Sequence, residues 1–116
     1  MYIAMNRFKV LKHCTGEFER AWFDREIYLH NVSGFIAFHL LKGPEREDHV
    51  LYSSHAMWRS YADFERWTKS EAFRKAHARA GESKPTTLGH PDFEGFAVIQ
   101  EVLADGTVKR AAAHNS

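Results

Sequence analysis

Three residues in this chain have more chemical potential than their surroundings call for: Asn6, Trp67 and His77. Asn6 is an amide in YIAMNRFKV (2–10), where Tyr2, Ala4, Phe8 and Val10 share its face of a period-two pattern. If buried there, the amide must bond a neighbouring strand or loop, or aim a donor at a ligand. His77 carries an imidazole, which in its neutral form binds iron, zinc or copper. Its helical neighbours Ala76 and Ala80 are small and leave volume unfilled where a packing helix would carry Leu or Ile. The plainer reading of His77 is a core-edge side chain bonded to a carbonyl. Trp67 is either core or a flat wall.

Arg25 joins this set because Phe18, Trp22, Arg25 and Leu29 fall at i, i+4, i+7 and i+11 of a helical stripe. A guanidinium on an inward stripe needs an anionic partner. That partner is an acid elsewhere in the fold, an acid across a dimer, or a ligand carboxylate. Phe73 lies on the same helical side as His77. The company of all these residues is apolar and aromatic, which suits a flat hydrophobic ligand better than a sugar or a phosphate.

The elements that must position them follow from periodicity and punctuation. Residues 2–10 read as a strand. Thr15-Gly16 opens a helix that Ser33-Gly34 ends, and FIAFHLL (35–41) is a second strand. Lys42 to Asp48, with Gly43-Pro44, reads as a turn into a third strand, HVLYSSHAMW (49–58). Ser60 can cap a short helix holding Tyr61, Phe64 and Trp67. Thr68-Lys69-Ser70-Glu71 reads as a capping box that restarts the helix, which then runs to about Ala80. GESKPTTLGHPD (81–92) is a loop and a candidate lid, FEGFAVIQEVL (93–103) a last strand, and 104–116 a flexible tail. The order β-α-β-β-α-α-β predicts an α+β, ferredoxin-like antiparallel sheet with its second helix broken in two, in one domain over 1–103. Large residues on both strand faces call for a second subunit to cover the face without helices.

Composition removes several function classes. Sixteen Lys and Arg against fifteen acids leave a formal charge of +1, so nucleic acid and anionic membranes are not expected partners. Eight histidines are scattered without HxxxH or HxH spacing. Cys14 is alone, so it forms no internal disulfide, and it adjoins His13 on the opposite side of an extended chain, a poor nucleophile arrangement. GxSxG, GxGxxG and P-loop motifs are missing. The N-terminus lacks the pattern of a secretory leader, and no run approaches the ~18 apolar residues of a membrane span, so the cytoplasm is the expected location.

Three stretches carry a family resemblance: MNRF (5–8), WFDREIYLHNVSGFIAFHLL (22–41) and WTKSEAFRKAHARAG (67–81). They resemble the Isd-type heme-degrading monooxygenases of the antibiotic-biosynthesis monooxygenase, or dimeric α+β barrel, superfamily, over about residues 2–103. The Gly34-Phe35 pair is common to the superfamily, whereas the Asn, Trp and His at these spacings are specific. The resemblance implies that His77 is the proximal heme-iron ligand and that Asn6 is a hydrogen-bond donor on the distal side. It further implies that Trp67 presses the porphyrin into a ruffled shape. Trp22 and Arg25, an aromatic-x-x-Arg pair, would line the heme pocket with Phe73, and Arg25 and Lys84 are candidates to meet the propionates. The implied activity opens heme, which is both cofactor and substrate, with O2, releasing iron and a linear tetrapyrrole. The implied state is a homodimer with one heme per subunit. Electrons would come from an external reductase, since no flavin or nicotinamide motif is present. Three alternatives stand beside it. One is a cofactor-free monooxygenase of an aromatic or quinol substrate, with His77 as general base and Asn6 bonding the substrate. The others are a non-catalytic heme carrier or sensor, and a ligand-free dimeric barrel.

Overall fold

The computed structural model describes residues 1–25, 29–71, 73–74 and 85–110. Strand β1 (Tyr2–Val10) leads through a 3-10 turn (Lys12–Cys14) into helix α1 (Thr15–Phe23). Strands β2 (Phe35–Glu45) and β3 (Val50–Trp58) follow, then helix α2 (Tyr61–Thr68) and strands β4 (Asp92–Ala97), β5 (Gln100–Val102) and β6 (Val108–Arg110). Four strands form one antiparallel sheet in the order β2-β3-β1-β4, the strand order of a ferredoxin-like fold. No helix among the described residues is long and apolar enough to cross a membrane.

The period-two reading of β1 matches its burial. Tyr2, Ala4 and Val10 are buried on the helix-covered face, while Arg7 and Lys9 are exposed on the other. The covered face carries two apolar clusters. Val10, Cys14, Phe18, Val50 and Tyr52 pack beneath α1, and Tyr2, Ala4, Leu29 and Trp58 pack towards α2. Each fully buried side chain of this kind contributes roughly 1.5–3 kcal/mol, so two separate clusters are enough to hold the helices apart.

Gly34 ties the second cluster together. Its φ is +85°, and a Cβ built on it would lie 2.2 Å from Asp63 Cγ, so only glycine lets the start of β2 pass under α2. Asp63 is itself part of the α2 cap. Ser60 Oγ accepts from the Asp63 N–H at 3.2 Å and donates to Asp63 Oδ2 at 2.9 Å.

Several expected boundaries move. The first helix ends at Phe23 rather than near Ser33: the Asp24 N–H bonds both Arg20 and Trp22 carbonyls, and the Arg25 N–H bonds Trp22. Such tightening to i→i−3 bonds terminates a helix, yet Leu29 is still buried, 5% exposed. Gly43-Pro44 is not the turn. β2 continues to Glu45 with a register shift between Lys42 and Glu45, and the chain reverses at Arg46–His49. Because β2 is an edge strand, Pro44 removes no ladder bond that the sheet needs.

The capping residue before Phe73 is Ser70, not Thr68. Ser70 Oγ accepts from the Phe73 N–H at 3.1 Å, while Thr68 Oγ1 donates back to the Glu65 carbonyl. The helix expected to reach Ala80 lies mostly outside the described residues. The strand expected over 93–103 is two strands interrupted at Val98-Ile99. Finally, regular structure does not stop at 103. Asp105-Gly106, with Gly106 at φ +91°, turns β5 back onto β6, which is the Asp-Gly signal of a hairpin. Residues 111–116 lie outside the described set.

Candidate functional site

Between the two clusters the sheet and helices enclose a cleft of about 560 Å³. Its floor is the sheet: Ala4, Asn6 and Phe8 from β1, Ser54 and Ala56 from β3, Phe38 from β2 and Phe93 from β4. Its walls are Trp22, Arg25 and Leu29 on one side and Phe64, Trp67, Thr68 and Phe73 on the other. The size and the aromatic lining with a few polar groups are those of a pocket for a flat organic ligand.

Five of the seven residues singled out from the sequence line this one cleft: Asn6, Trp22, Arg25, Trp67 and Phe73. His77 and Lys84 lie outside the described residues. So do Ala76 and Ala80, which the sequence placed beside His77.

Each lining residue has a structural cause. Asn6 is opposite Ser54 on β3 and Phe93 on β4, and its amide has no hydrogen bond among the described residues. Trp22 stacks on Phe38 at 5.6 Å and sets its edge against Phe8. The Arg25 guanidinium lies over the Trp22 ring, 4.2 Å from its centroid. Burial pulls the Arg25 pKa down from its ordinary value, but a guanidinium stays charged at any working pH. No carboxylate among the described residues pairs with it, and none lines the cleft. Of the three partners open to Arg25, a described acid of its own fold is therefore removed.

Trp67 sits in an aromatic cage. Trp58 is 5.4 Å away, and Phe73 meets it edge-on at 4.8 Å and 83°. The Ser70 cap places Phe73 there by restarting the chain direction just after α2. An indole held on both sides yields little to a ligand pressing on it.

Sequence reading passed over Ser54, Phe38, Phe64 and Phe93. Ser54 was legible by the reasoning used for Asn6, because Tyr52, Ser54, Ala56 and Trp58 alternate onto one face of HVLYSSHAMW. The phenylalanines were not legible, since only strand pairing brings them together. Phe64 and Phe93 stack at 5.8 Å and 13°. Among the described residues no group of three His, Cys, Asp or Glu side chains is arranged to hold a metal ion.

Known proteins share this arrangement of elements. The family profile described as antibiotic biosynthesis monooxygenase matches residues 1–79. A heme-degrading monooxygenase of Shouchella clausii is 31% identical over 83 residues, covering 71% of this chain and 78% of that protein. The heme degrader MhuD of Mycobacterium tuberculosis, solved with two hemes in its active site, is 25% identical. It superposes with a TM-score of 0.67 over 88% of this chain and 99% of that one. SnoaB, a cofactor-independent oxygenase of Streptomyces nogalater, is similar in fold, with a TM-score of 0.61 at 24% identity over 86% of this chain and 94% of that one. On its match over residues 1–79, and with the ferredoxin-like sheet of the dimeric α+β barrel proteins, this chain belongs to the antibiotic biosynthesis monooxygenase family.

Proposed function

We propose that this protein is a heme-degrading monooxygenase. The observation that carries the reading is the lining of the cleft: flat aromatic walls, one cation with no carboxylate partner among the described residues, and a neutral amide on the floor. A porphyrin has the matching parts, a flat apolar macrocycle with carboxylates on one edge. The kinship with a heme-degrading relative at 31% identity supports the same substrate.

In this reading Trp22, Phe73 and Trp67 hold the macrocycle, Arg25 pairs with a propionate, and His77 is the iron ligand. Bound heme supplies iron for dioxygen activation and is itself the molecule oxidised. Asn6 donates a hydrogen bond from a group that does not titrate, so it polarises without protonating. The caged indole of Trp67 is stiffer than a free side chain and would give a bound macrocycle a fixed wall. The apolar walls exclude water and strengthen both the Asn6 and Arg25 interactions. An external reductase supplies electrons.

The working unit in this reading is a cytoplasmic homodimer. Leu41 and Phe96 on the face of the sheet without helices, and Ile36 at the β2 irregularity, are between 41% and 48% exposed. A second copy would cover them.

The test is a hemin titration of the apoprotein followed by ascorbate or a reductase in air. A Soret band that forms and then decays, with iron becoming chelatable, is the expected result. A band that forms and persists identifies a carrier or sensor. Failure to bind hemin overturns every heme reading and favours a cofactor-free oxygenase. His77→Ala is expected to lose the ligand-field signature of histidine-bound iron.

A further inference from the structure

Asn6 is not the only polar group on the floor of the cleft. Ser54 is its direct partner across the β1–β3 ladder, 6% exposed, and the buried polar side chain of the described core. Cβ atoms of such opposed residues lie about 4.5–5.5 Å apart, so the hydroxyl and the amide are side by side. Both line the cleft, and neither has a side-chain hydrogen bond among the described residues. A hydroxyl on a buried residue gains from a partner, and so does the half-buried amide of Asn6 beside it.

The need for a small residue does not explain the serine. Ala56 sits two positions along the same face of β3, and Ala4 faces it on β1, so alanine already keeps the neighbouring floor open. Ser54 differs from these by one oxygen atom. Two polar groups without a hydrogen bond among the described residues, placed together in an apolar cleft, would both be satisfied by a single polar ligand atom lying over the sheet.

We propose that Ser54 is a second hydrogen-bond donor of the site, acting with Asn6 on the same small oxygen-containing ligand above the β1–β3 pair. This rests on the heme reading, in which Asn6 bonds on the distal side of the macrocycle. Asn6 and Ser54 together then set the polarity felt by a diatomic gas bound on that side. The hydroxyl can rotate to follow the ligand, whereas the planar amide, with Phe93 as its ladder partner on the other side, turns as a unit.

The test uses carbon monoxide on the hemin-loaded protein after reduction with dithionite, read by the infrared C–O stretch. A donor near the oxygen end lowers this frequency. Ser54→Ala is therefore expected to raise it, Ser54→Thr to restore the wild-type value, and Asn6→Ala to raise it as well. The alanine variant removes only one atom from a strand, and its circular dichroism serves as the folding control. A C–O stretch unchanged by Ser54→Ala overturns this inference while leaving the heme reading intact. A wild-type protein that gives no Soret band overturns the heme reading, and this inference falls with it. A shift in Ser54→Ala that Ser54→Thr fails to restore assigns the effect to packing and also overturns the proposal.

Discussion

Asn6 and Arg25 do different work at the scale of single residues. In the proposed reading Asn6 would contribute one neutral hydrogen bond to the ligand, so its loss should not empty the cleft. We expect Asn6→Ala to bind hemin with near wild-type affinity but to lose about tenfold or more of its turnover. Soret titration and Soret decay measure the two separately, and wild-type turnover would remove the proposed role. Arg25 lies over Trp22 and pairs with no acid among the described residues, so in the proposed reading its charge would be available to a ligand. Both residues stood out in the sequence for the same reason, a polar group in an apolar pattern. Ser54 met the same criterion on β3, where the adjacent serine Ser53 and the polar His55 masked the alternation.

At the scale of elements, the helices are positioned by a few non-local ties. Gly34→Ala should cost about 2 kcal/mol or more, because it demands a positive φ and drives a methyl group into Asp63. Urea denaturation with an unchanged slope would measure it. Helix α1 is tied to β2 and β3 by Glu19, which accepts from the Tyr52 hydroxyl and pairs with Lys42 at 2.9 Å.

The Tyr52 hydrogen bond, and then Lys42, hold the Glu19 carboxyl below its ordinary pKa. A depressed carboxylate stabilises the fold above its unfolded pKa, and that contribution is lost as pH falls through the folded value, at about pH 4 and below. Lys42 is raised by its bond to Glu19, and Tyr52 by burial and then by Glu19. Raised groups stabilise below their unfolded pKa and lose that contribution as pH rises through the folded value, above about pH 10. Glu19→Gln should therefore flatten both limbs of the stability–pH profile in denaturant melts. A profile with unchanged limbs would show that the cluster does not couple to folding.

Among the described residues the sheet has one face under helices and one without. Ile3, Met5, Leu41, His55, Met57 and Phe96 lie on the uncovered face, with the exposed Ile99, Val102 and Val108 beyond it near the β5–β6 hairpin. We expect sedimentation to give a dimer at micromolar concentration and Met57→Glu, between Ile3 and Ala37 on that face, to give a folded monomer. A wild-type monomer would remove the second copy from the proposal. An isolated two-stranded hairpin is marginal in water, so β5–β6 should be better protected from proteolysis in the dimer.

Local patterns alone located β1, β3 and the α2 cap, because alternation and capping depend on neighbours a few residues apart. They also placed Asn6 on the helix-covered face of β1 and Arg25 on an inward stripe. The Asp105-Gly106 turn was equally local, but the low apolar content of 104–116 read as a tail. Tertiary structure decided the rest. α1 stops at Phe23, although the apolar period continues to Leu29. Gly43-Pro44 stays in a strand, because the strand is at an edge that no partner pairs. The cleft exists because ladder pairing sets Ser54 and Phe93 on either side of Asn6, and because the Ser70 cap turns Phe73 onto Trp67. These contacts join residues far apart in the chain, and their geometry depends on sheet order and register, which no local window contains.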